Sequence, residues 1–237
     1  MGKPCIVRWA FGTIGASILR RVCGWQRGNA KAVDDMFQTV CACEPSETTN
    51  IARVSNLAIK MALETDAEWF VGAGGDIAVL TPIVNSRPLP HIGGLPILKT
   101  SENMQVAPGV LAWSGGWIAH RRVLADSRYC EDFVGYGFQD TDFALNVLMM
   151  NDPQTVPFNV LFPPGPLGMP PHGCIGVHLH HKSRDWENDY YGYQRNKKLF
   201  VKRLAYSGRY PWWVLPSDLR DACKPDCNDE EEAGATQ

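Results

Sequence analysis

Residues 135–143 have the sequence Gly-Tyr-Gly-Phe-Gln-Asp-Thr-Asp-Phe, and residues 113–117 have the sequence Trp-Ser-Gly-Gly-Trp. Both stretches contain closely spaced glycines, which allow a backbone to turn tightly or to approach a ligand. The first stretch ends in carboxylates at the start of an apolar helix predicted over 143–148. Together they predict a ligand platform beside a carboxylate that can act as a base.

The rest of the chain predicts strands that alternate with helices. Apolar runs predict strands over 4–11, 36–43, 68–73 and 174–180. Helices are predicted over 14–23 with Thr13 as cap, over the segment that contains Arg53 and Asn56 with Thr48 or Thr49 as cap, and over 187–206. This alternation predicts an α/β sheet with crossover connections and with ligands at the carboxyl ends of the strands.

Composition indicates one ordinary globular domain. The chain has 237 residues, of which 45% are apolar and 20% charged, with a net charge of −2. We expect one domain over 1–222 and an acidic flexible tail over 223–237. Most of the eight cysteines are expected to be reduced and buried. The sequence has neither a long apolar window nor a signal-peptide pattern at its start, so we expect a cytoplasmic protein.

The glycine-rich stretches resemble the galactosyltransferase C-terminal motif of inverting GT-A glycosyltransferases, and the chain is also similar to family 2-like glycosyltransferases. Gly135, Gly137, Asp140 and Asp142 match the motif, whereas Tyr136, Gln139 and Thr141 replace its Trp, Glu and middle Asp. The resemblance implies a GT-A-like α/β fold, a mixed sheet flanked by helices, with a nucleotide-sugar-binding half over 1–100 and an acceptor-binding half over 101–222. It also implies that Asp140 is the catalytic base.

The same resemblance implies an acceptor site around both glycine-rich stretches. Its residues would be Gly115, Gly116, Trp117, Tyr136, Gln139 and Asp142. Two structural alternatives are open. Asp140 and Asp142 could serve as helix caps, and Trp117 could be a buried core residue.

An earlier segment resembles the donor side of these enzymes. In the family, an Arg-x-x-Asn helix precedes a buried strand that ends in Asp-x-Asp, which binds a divalent metal and the sugar-nucleotide diphosphate. Arg53 and Asn56 match the helix, while Gly74 and Asp76 occupy the two acidic positions. The resemblance implies a Mn²⁺ or Mg²⁺ cofactor with Asp76 as ligand, and a UDP-sugar as the favoured donor.

Two further features belong to this donor side. Phe11 ends the first strand, where such folds bind the nucleotide base. Arg53 and Asn56 have two open interpretations, since they could contact the nucleotide or fix their helix to the sheet.

Three histidines follow the strand predicted over 174–180. Strand alternation places His178 and His180 on one face and His181 on the other. In the resembled family, a histidine after such a strand often completes the metal site. The resemblance therefore implies that His178 or His180 is a metal ligand, and hydrogen-bonded histidines without a metal are the alternative.

Residues 190–203 mix tyrosines with lysines and arginines. Such a segment is compatible with nucleic acid, since cations contact phosphates and rings stack on bases. The alternative is a helix packed on the core with a solvated basic face.

The predicted function is transfer of a hexosyl or pentosyl group from a nucleotide sugar to an acceptor hydroxyl, with inversion. A hydroxymethylated DNA base is one candidate acceptor, in a bacterial, phage or viral setting, and a glycan or protein is the other. A catalytically inactive sugar- or nucleic-acid-binding module on the same scaffold is the alternative, and the assembly state is open.

Overall fold

The computed structural model describes residues 2–45, 50–82, 92–95, 97–100, 106–112, 116–150, 174–181 and 190–207. Its strands are β1 Cys5–Phe11, β2 Gln38–Glu44, β3 Trp69–Gly72, β4 Ile77–Val79, β5 Ile92–Gly94, β6 Ile97–Thr100, β7 Val106–Ala112, β8 Trp117–His120 and β9 Gly176–His178. Its helices are α1 Gly12–Asn29, α2 Lys31–Met36, α3 Ile51–Leu63, α4 Arg121–Leu124, α5 Gln139–Met150 and α6 Tyr190–Ser207.

A five-stranded sheet in the order β2-β1-β3-β8-β5 forms the centre of the fold. All seven residues of β1 are buried, as expected for a strand covered on both faces. β1 pairs in parallel with β2 and β3, whereas β8 pairs antiparallel with β3 and β5. The sheet is therefore mixed, and the α/β prediction is confirmed.

A second sheet has the order β4-β9-β6-β7. β4 and β9 pair antiparallel, with Ile77 opposite His178. β6 pairs in parallel with β9 and antiparallel with β7. This register brings the residue before β4, Asp76, next to the end of β9.

Helix α3 packs a face of small and apolar residues against the central sheet. Its buried positions are Ala52, Val54, Ser55, Ala58, Ile59 and Ala62. The cap differs from the predicted Thr48 or Thr49, which lie outside the described residues. Asn50 Oδ1 accepts a hydrogen bond from the Arg53 N–H over 2.9 Å and so caps the helix.

Other element boundaries also differ from the predictions. α1 begins at Gly12 without a side-chain cap, so the predicted cap at Thr13 is wrong. β9 covers three residues of the strand predicted over 174–180. The predicted tail over 223–237 lies outside the described residues. Within the described ranges, no helix combines the length and the apolar composition needed to cross a bilayer.

Candidate active site

The turn between β3 and β4 carries Asp76. The Ile77 N–H donates to the Gly74 carbonyl over 3.2 Å and closes this turn. A Cβ at Gly75 would lie 2.9 Å from the Trp9 carbonyl oxygen, so glycine allows the turn to pack against β1. A Cβ at Gly74 would lie 3.2 Å from Asp76 Oδ1. A second acidic side chain at position 74 would therefore crowd the Asp76 carboxylate.

Two histidines contact the Asp76 carboxylate. Asp76 Oδ2 lies 3.4 Å from His178 Nε2 and 3.5 Å from His181 Nε2. One potential ligand atom from each residue lies within 4.8 Å of the others. Burial acts to raise the pKa of Asp76, but the hydrogen bonds and charges of the two imidazoles outweigh burial and lower it well below its ordinary value. A carboxylate and two imidazoles suit a divalent first-row metal.

The local backbone determines which histidines join this cluster. The Leu179 N–H donates to the Asp76 carbonyl over 3.0 Å. β9 ends at His178, so strand alternation stops there, and His181 reaches Asp76 while His180 is exposed. The prediction that His181 faces away from His178 is therefore wrong. The structure brings His181, rather than the predicted His180, to the Asp76 cluster.

Asp140 lies in the first turn of α5, after a loop with unusual backbone geometry. Gly135, Gly137 and Phe138 have φ angles of +83°, +101° and +68°. Glycine adopts such angles readily, whereas for phenylalanine they cost about 1–3 kcal/mol. The Asp142 N–H donates to the Phe138 carbonyl over 2.8 Å. Helix α5 therefore begins directly after this strained turn.

The Asp140 carboxylate is partly buried, and other polar groups act on it. Its Oδ1 accepts a hydrogen bond from the Tyr129 hydroxyl over 3.3 Å. Burial is the main cause that raises the pKa of Asp140 to about 6, the hydrogen bond from Tyr129 opposes it, and the negative charge of Asp76 acts in the same direction as burial. Asp140 is therefore a better proton acceptor near neutral pH than an ordinary aspartate.

Helix α6 holds the loop over 134–138 in place. The fully buried Asn196 directs its Nδ2 at three carbonyl oxygens of this loop. These belong to Val134, Tyr136 and Gly137, at 3.1, 3.1 and 3.2 Å. A Cβ at Gly137 would lie 2.6 Å from the Tyr193 ring. The geometry before Asp140 therefore depends on contacts from α6.

Several residues predicted to bind the acceptor lie inside the protein. Trp117 is 5% exposed and Gln139 is 4% exposed. Gln139 Nε2 donates to the Gly135 carbonyl. Tyr136 is 48% exposed, and its ring stacks with that of Tyr193 at 6.3 Å between centroids. Among the described candidates, Tyr136 therefore offers the most open surface to an acceptor.

Two further acceptor candidates are glycines. A Cβ at Gly116 would lie 3.0 Å from the Leu95 Cβ, so this position is closely packed. Gly115 lies outside the described residues.

Asp142 connects α5 to α6. Its carboxylate accepts hydrogen bonds from Arg203 Nε over 2.7 Å and from Arg203 Nη2 over 3.2 Å. Asn146 Nδ2 donates to it over 2.8 Å. Burial raises the pKa of Asp142, and Arg203 opposes that rise. The structure thus gives this carboxylate a structural partner on α6.

The residues predicted on the donor side have structural contacts. Arg53 forms an ion pair with Glu44 at the surface. Asn56 Oδ1 accepts from the Tyr129 N–H over 2.8 Å, and its Nδ2 donates to the Tyr129 carbonyl over 3.0 Å. Phe11 is buried where β1 meets α1. Of the two interpretations of Asn56, the structure favours the structural one. Asn56 fixes α3 to the loop at Tyr129, however, and not to the sheet.

A buried arginine lies behind the Asp76 turn. Arg8 is 1% exposed, and its guanidinium donates to the Ile77 carbonyl and, over 2.6 Å, to Gln26 Oε1. Gln26 Nε2 in turn donates to Asp34 Oδ1 over 2.6 Å. Burial lowers the pKa of Arg8, and nearby thiols, Asp34 and Asp76 oppose that effect. The network fixes the backbone directly after Asp76.

Four residues of this region were not among those predicted from the sequence, namely Arg8, Tyr129, His181 and Asn196. Arg8 had a usable signal, because it interrupts a strand of otherwise apolar residues. Tyr129 and Asn196 had no local signal, since their partners lie far away in the sequence. His181 was misplaced because β9 ends earlier than the predicted strand.

No protein-family profile and no curated protein matches the sequence. Solved structures match it at low identity. Residues 1–349 of TarS from S. aureus, in complex with UDP-GlcNAc, match with a TM-score of 0.50 and 8% identity, over 94% of this chain and 70% of that one. The catalytic domain of Drosophila β1,4-galactosyltransferase 7, in complex with xylobiose, matches with a TM-score of 0.43 and 13% identity, over 60% of this chain and 59% of that one.

A third match is a glycosyltransferase involved in the glycosylation of the major capsid of PBCV-1. It has a TM-score of 0.39 and 14% identity, over 78% of this chain and 98% of that one. In the earlier galactosyltransferase 7 match, this chain spans 59% of the length of that catalytic domain. The TarS comparison shows the fold, which is that of GT-A-type glycosyltransferases, and the predicted GT-A-like fold is confirmed.

Proposed function

We propose that this chain is a glycosyltransferase that moves a sugar from a UDP-sugar to an acceptor hydroxyl, with inversion at the anomeric carbon. One observation carries the proposal. On a GT-A-type fold, Asp140 has a pKa raised to about 6 and feels the charge of Asp76, whose carboxylate meets His178 and His181. A proton acceptor and a metal-binding cluster within electrostatic reach of each other are what such a transfer needs. TarS, which has the same fold, binds UDP-GlcNAc.

The donor side fits a divalent metal. Asp76, His178 and His181 offer one oxygen and two nitrogens within 4.8 Å of one another, a donor set that suits Mn²⁺ better than Mg²⁺. A bound metal would supply positive charge that stabilises the departing diphosphate. The two imidazoles also take the place of the acidic side chain that Gly74 lacks.

Asp140 serves as the base on the acceptor side. The acceptor oxygen forms a bond to the anomeric carbon, the bond from that carbon to the UDP oxygen breaks, and the acceptor proton passes to Asp140. Direct displacement of this kind inverts the anomeric centre.

The acceptor surface lies next to Tyr136. Tyr136 and Tyr193 form a partly exposed ring pair beside the loop before Asp140, and Tyr190 and Tyr191 are exposed on the same helix as Tyr193. Rings of this kind can stack on the apolar face of a sugar or on an unpaired base. We propose a glycan acceptor as the first choice, and a hydroxymethylated DNA base as the second because cationic residues accompany these tyrosines on α6.

Asp140→Asn tests the proposed base. It is expected to reduce transfer by at least about a hundredfold, since general base catalysis contributes about that much or more. UDP-sugar binding, measured by calorimetry, should stay within about twofold. Wild-type transfer rates in the variant would remove Asp140 from the mechanism, and product anomers identified by NMR would test inversion.

His181→Ala and His180→Ala form a matched pair that tests the metal cluster. Calorimetric titration with Mn²⁺ alone is expected to show at least about tenfold weaker binding for His181→Ala, because one ligand is lost. His180→Ala should bind Mn²⁺ as the wild type does, since His180 is exposed and lies outside the cluster. Equal losses in both variants, or none in either, would contradict the assignment.

A further inference from the structure

Tyr129 lies in the loop after α4 and is buried where side chains from four elements meet. Its backbone N–H and carbonyl both bond to the Asn56 side chain on α3. Its ring stacks on Phe143 of α5 with centroids 4.2 Å apart and an interplanar angle of 6°, and meets Trp9 of β1 edge to face at 6.4 Å. Its hydroxyl contacts Trp117 of β8. Both ends of this residue are therefore fixed.

The hydroxyl proton of Tyr129 has a defined direction. Trp117 Nε1 lies 2.9 Å from the Tyr129 hydroxyl, and Asp140 Oδ1 lies 3.3 Å from it. An indole nitrogen can only donate, so the phenolic oxygen must accept from Trp117. Its proton is then left to point at Asp140 Oδ1. Trp117, Tyr129 and Asp140 are therefore joined by two successive hydrogen bonds, and the carboxylate of Asp140 is the final acceptor.

We infer that Tyr129 is a positioning residue for the reaction proposed above, on which this inference rests. Its hydroxyl holds Oδ1 of Asp140 and thereby leaves Oδ2 to receive the acceptor proton. The Tyr129 hydroxyl acts on the reaction only through its hydrogen bond to Asp140, and it needs no contact with the substrate. Asn56, Trp117 and Phe143 in turn set the place of the hydroxyl.

The electrostatics agree with this role. Burial and the negative charge of Asp140 raise the pKa of Tyr129 well above its ordinary value, so the phenol stays protonated and remains a donor over the working pH range. The titratable groups that act on Asp140 are Tyr129 and Asp76. Asp142, on the same helix, is paired with Arg203.

Tyr129→Phe removes the donor and keeps the stacked ring. In the metal-free and donor-free protein, carbon NMR titration of Asp140, assigned by comparison with Asp140→Asn, is expected to show its pKa raised by about half to one pH unit. The apparent pKa of the acid limb in the pH profile of the transfer rate should rise by the same amount. Tyr193→Phe is the matched control, and it should leave the titration of Asp140 unchanged.

A double-variant cycle separates the hydroxyl chain from a general packing effect. Trp117→Phe is expected to raise the pKa of Asp140 slightly in the wild-type background and to have no effect on it in Tyr129→Phe. Trp117→Phe also serves as the test variant if Tyr129→Phe does not fold. An unchanged Asp140 titration in Tyr129→Phe, or an equal Trp117→Phe effect in both backgrounds, would overturn the inference.

The two proposals fail in different ways. If the pKa of Asp140 shifts in Tyr129→Phe but the acid limb of the pH–rate profile does not, the positioning role is overturned. A wild type that transfers no sugar would overturn the proposed function, while the NMR titration would still report on the Tyr129 contact.

Discussion

At the scale of single residues, the chemistry of the candidate site depends on burying Asp140. Burial raises its pKa to about 6, and the charge of Asp76 acts in the same direction. In the proposed reaction, the raised pKa improves the carboxylate as a base, and it also makes the ionised form of Asp140 costly to the folded state. Activity and stability therefore oppose each other at this residue.

Asp140→Asn is expected to stabilise the metal-free protein above pH 6. The folded-state pKa of about 6 lies above the ordinary 3.8, so the ionised carboxylate destabilises the fold, and this cost grows from about pH 4 to pH 6 and then levels off. At about 1.4 kcal/mol per pH unit, the variant should gain at most about 3 kcal/mol at pH 7.5. Urea unfolding of the variant and the wild type at pH 4 and pH 7.5 measures this difference in the free energy of unfolding.

Asp126→Asn is the control for that measurement, because Asp126 is exposed after α4. It should change the free energy of unfolding by less than about 0.5 kcal/mol at both pH values. An Asp140→Asn variant that loses stability at pH 7.5 would contradict the burial argument.

At the scale of elements, close approach between strands sets the position of Trp117. Gly72 on β3 lies opposite Trp117 on β8, and a Cβ at Gly72 would lie 2.1 Å from the indole ring. The indole occupies the space that the missing side chain leaves. From there its Nε1 reaches Tyr129.

Gly72→Ala and Gly24→Ala are a matched pair for this packing. Gly72→Ala is expected to destabilise the protein by about 2 kcal/mol or more, because the methyl group overlaps the indole. Gly24→Ala lies within α1 with no atom within 4 Å of the added methyl group, and it should stabilise by about 0.5–1 kcal/mol. Thermal unfolding of both variants checks the signs, and equal effects would contradict the assigned packing.

Asn196 gives a second test at this scale. Asn196→Ala leaves the three loop carbonyls without this donor, and it should cost about 1–3 kcal/mol of stability and lower the transfer rate more than donor affinity. Lys198→Ala is the control, because Lys198 is exposed on the same helix. It should change neither the transfer rate nor the equilibrium constant of unfolding by more than about twofold. Asn196→Ala with wild-type stability and rate would show that the loop does not depend on α6.

The sequence was informative where a signal was local. Apolar runs predicted β1, β2 and β3 to within a few residues, a helix was predicted at the position of α3 and another at that of α6, and the glycine spacing predicted the turn before Asp140. The cap of α3 was missed because Thr48 and Thr49 suit a cap as well as Asn50 does, and Thr13 was wrong because α1 begins without a side-chain cap. A cap depends on where the chain turns, which residue type alone does not fix.

At the scale of the whole molecule, the candidate site is assembled from segments far apart in the chain. Asp76 follows β3, His178 and His181 come from the end of β9, and Asp140 begins α5. The sequence predicted Asp76, His178 and Asp140 through resemblance. It could not predict Tyr129 or Asn196, since their roles arise from partners that the fold brings together.

The most direct test of this account measures acceptor-dependent release of UDP from a panel of UDP-sugars, with UDP-GlcNAc included, in the presence of Mn²⁺ or a chelator. Each donor is tested with oligosaccharide, peptide and hydroxymethylated-DNA acceptors. We expect release that requires an acceptor, is lost with the chelator and is lost in Asp140→Asn. If no UDP-sugar is turned over and none binds by calorimetry, the GT-A-type fold of this chain serves another function and the central claim is wrong.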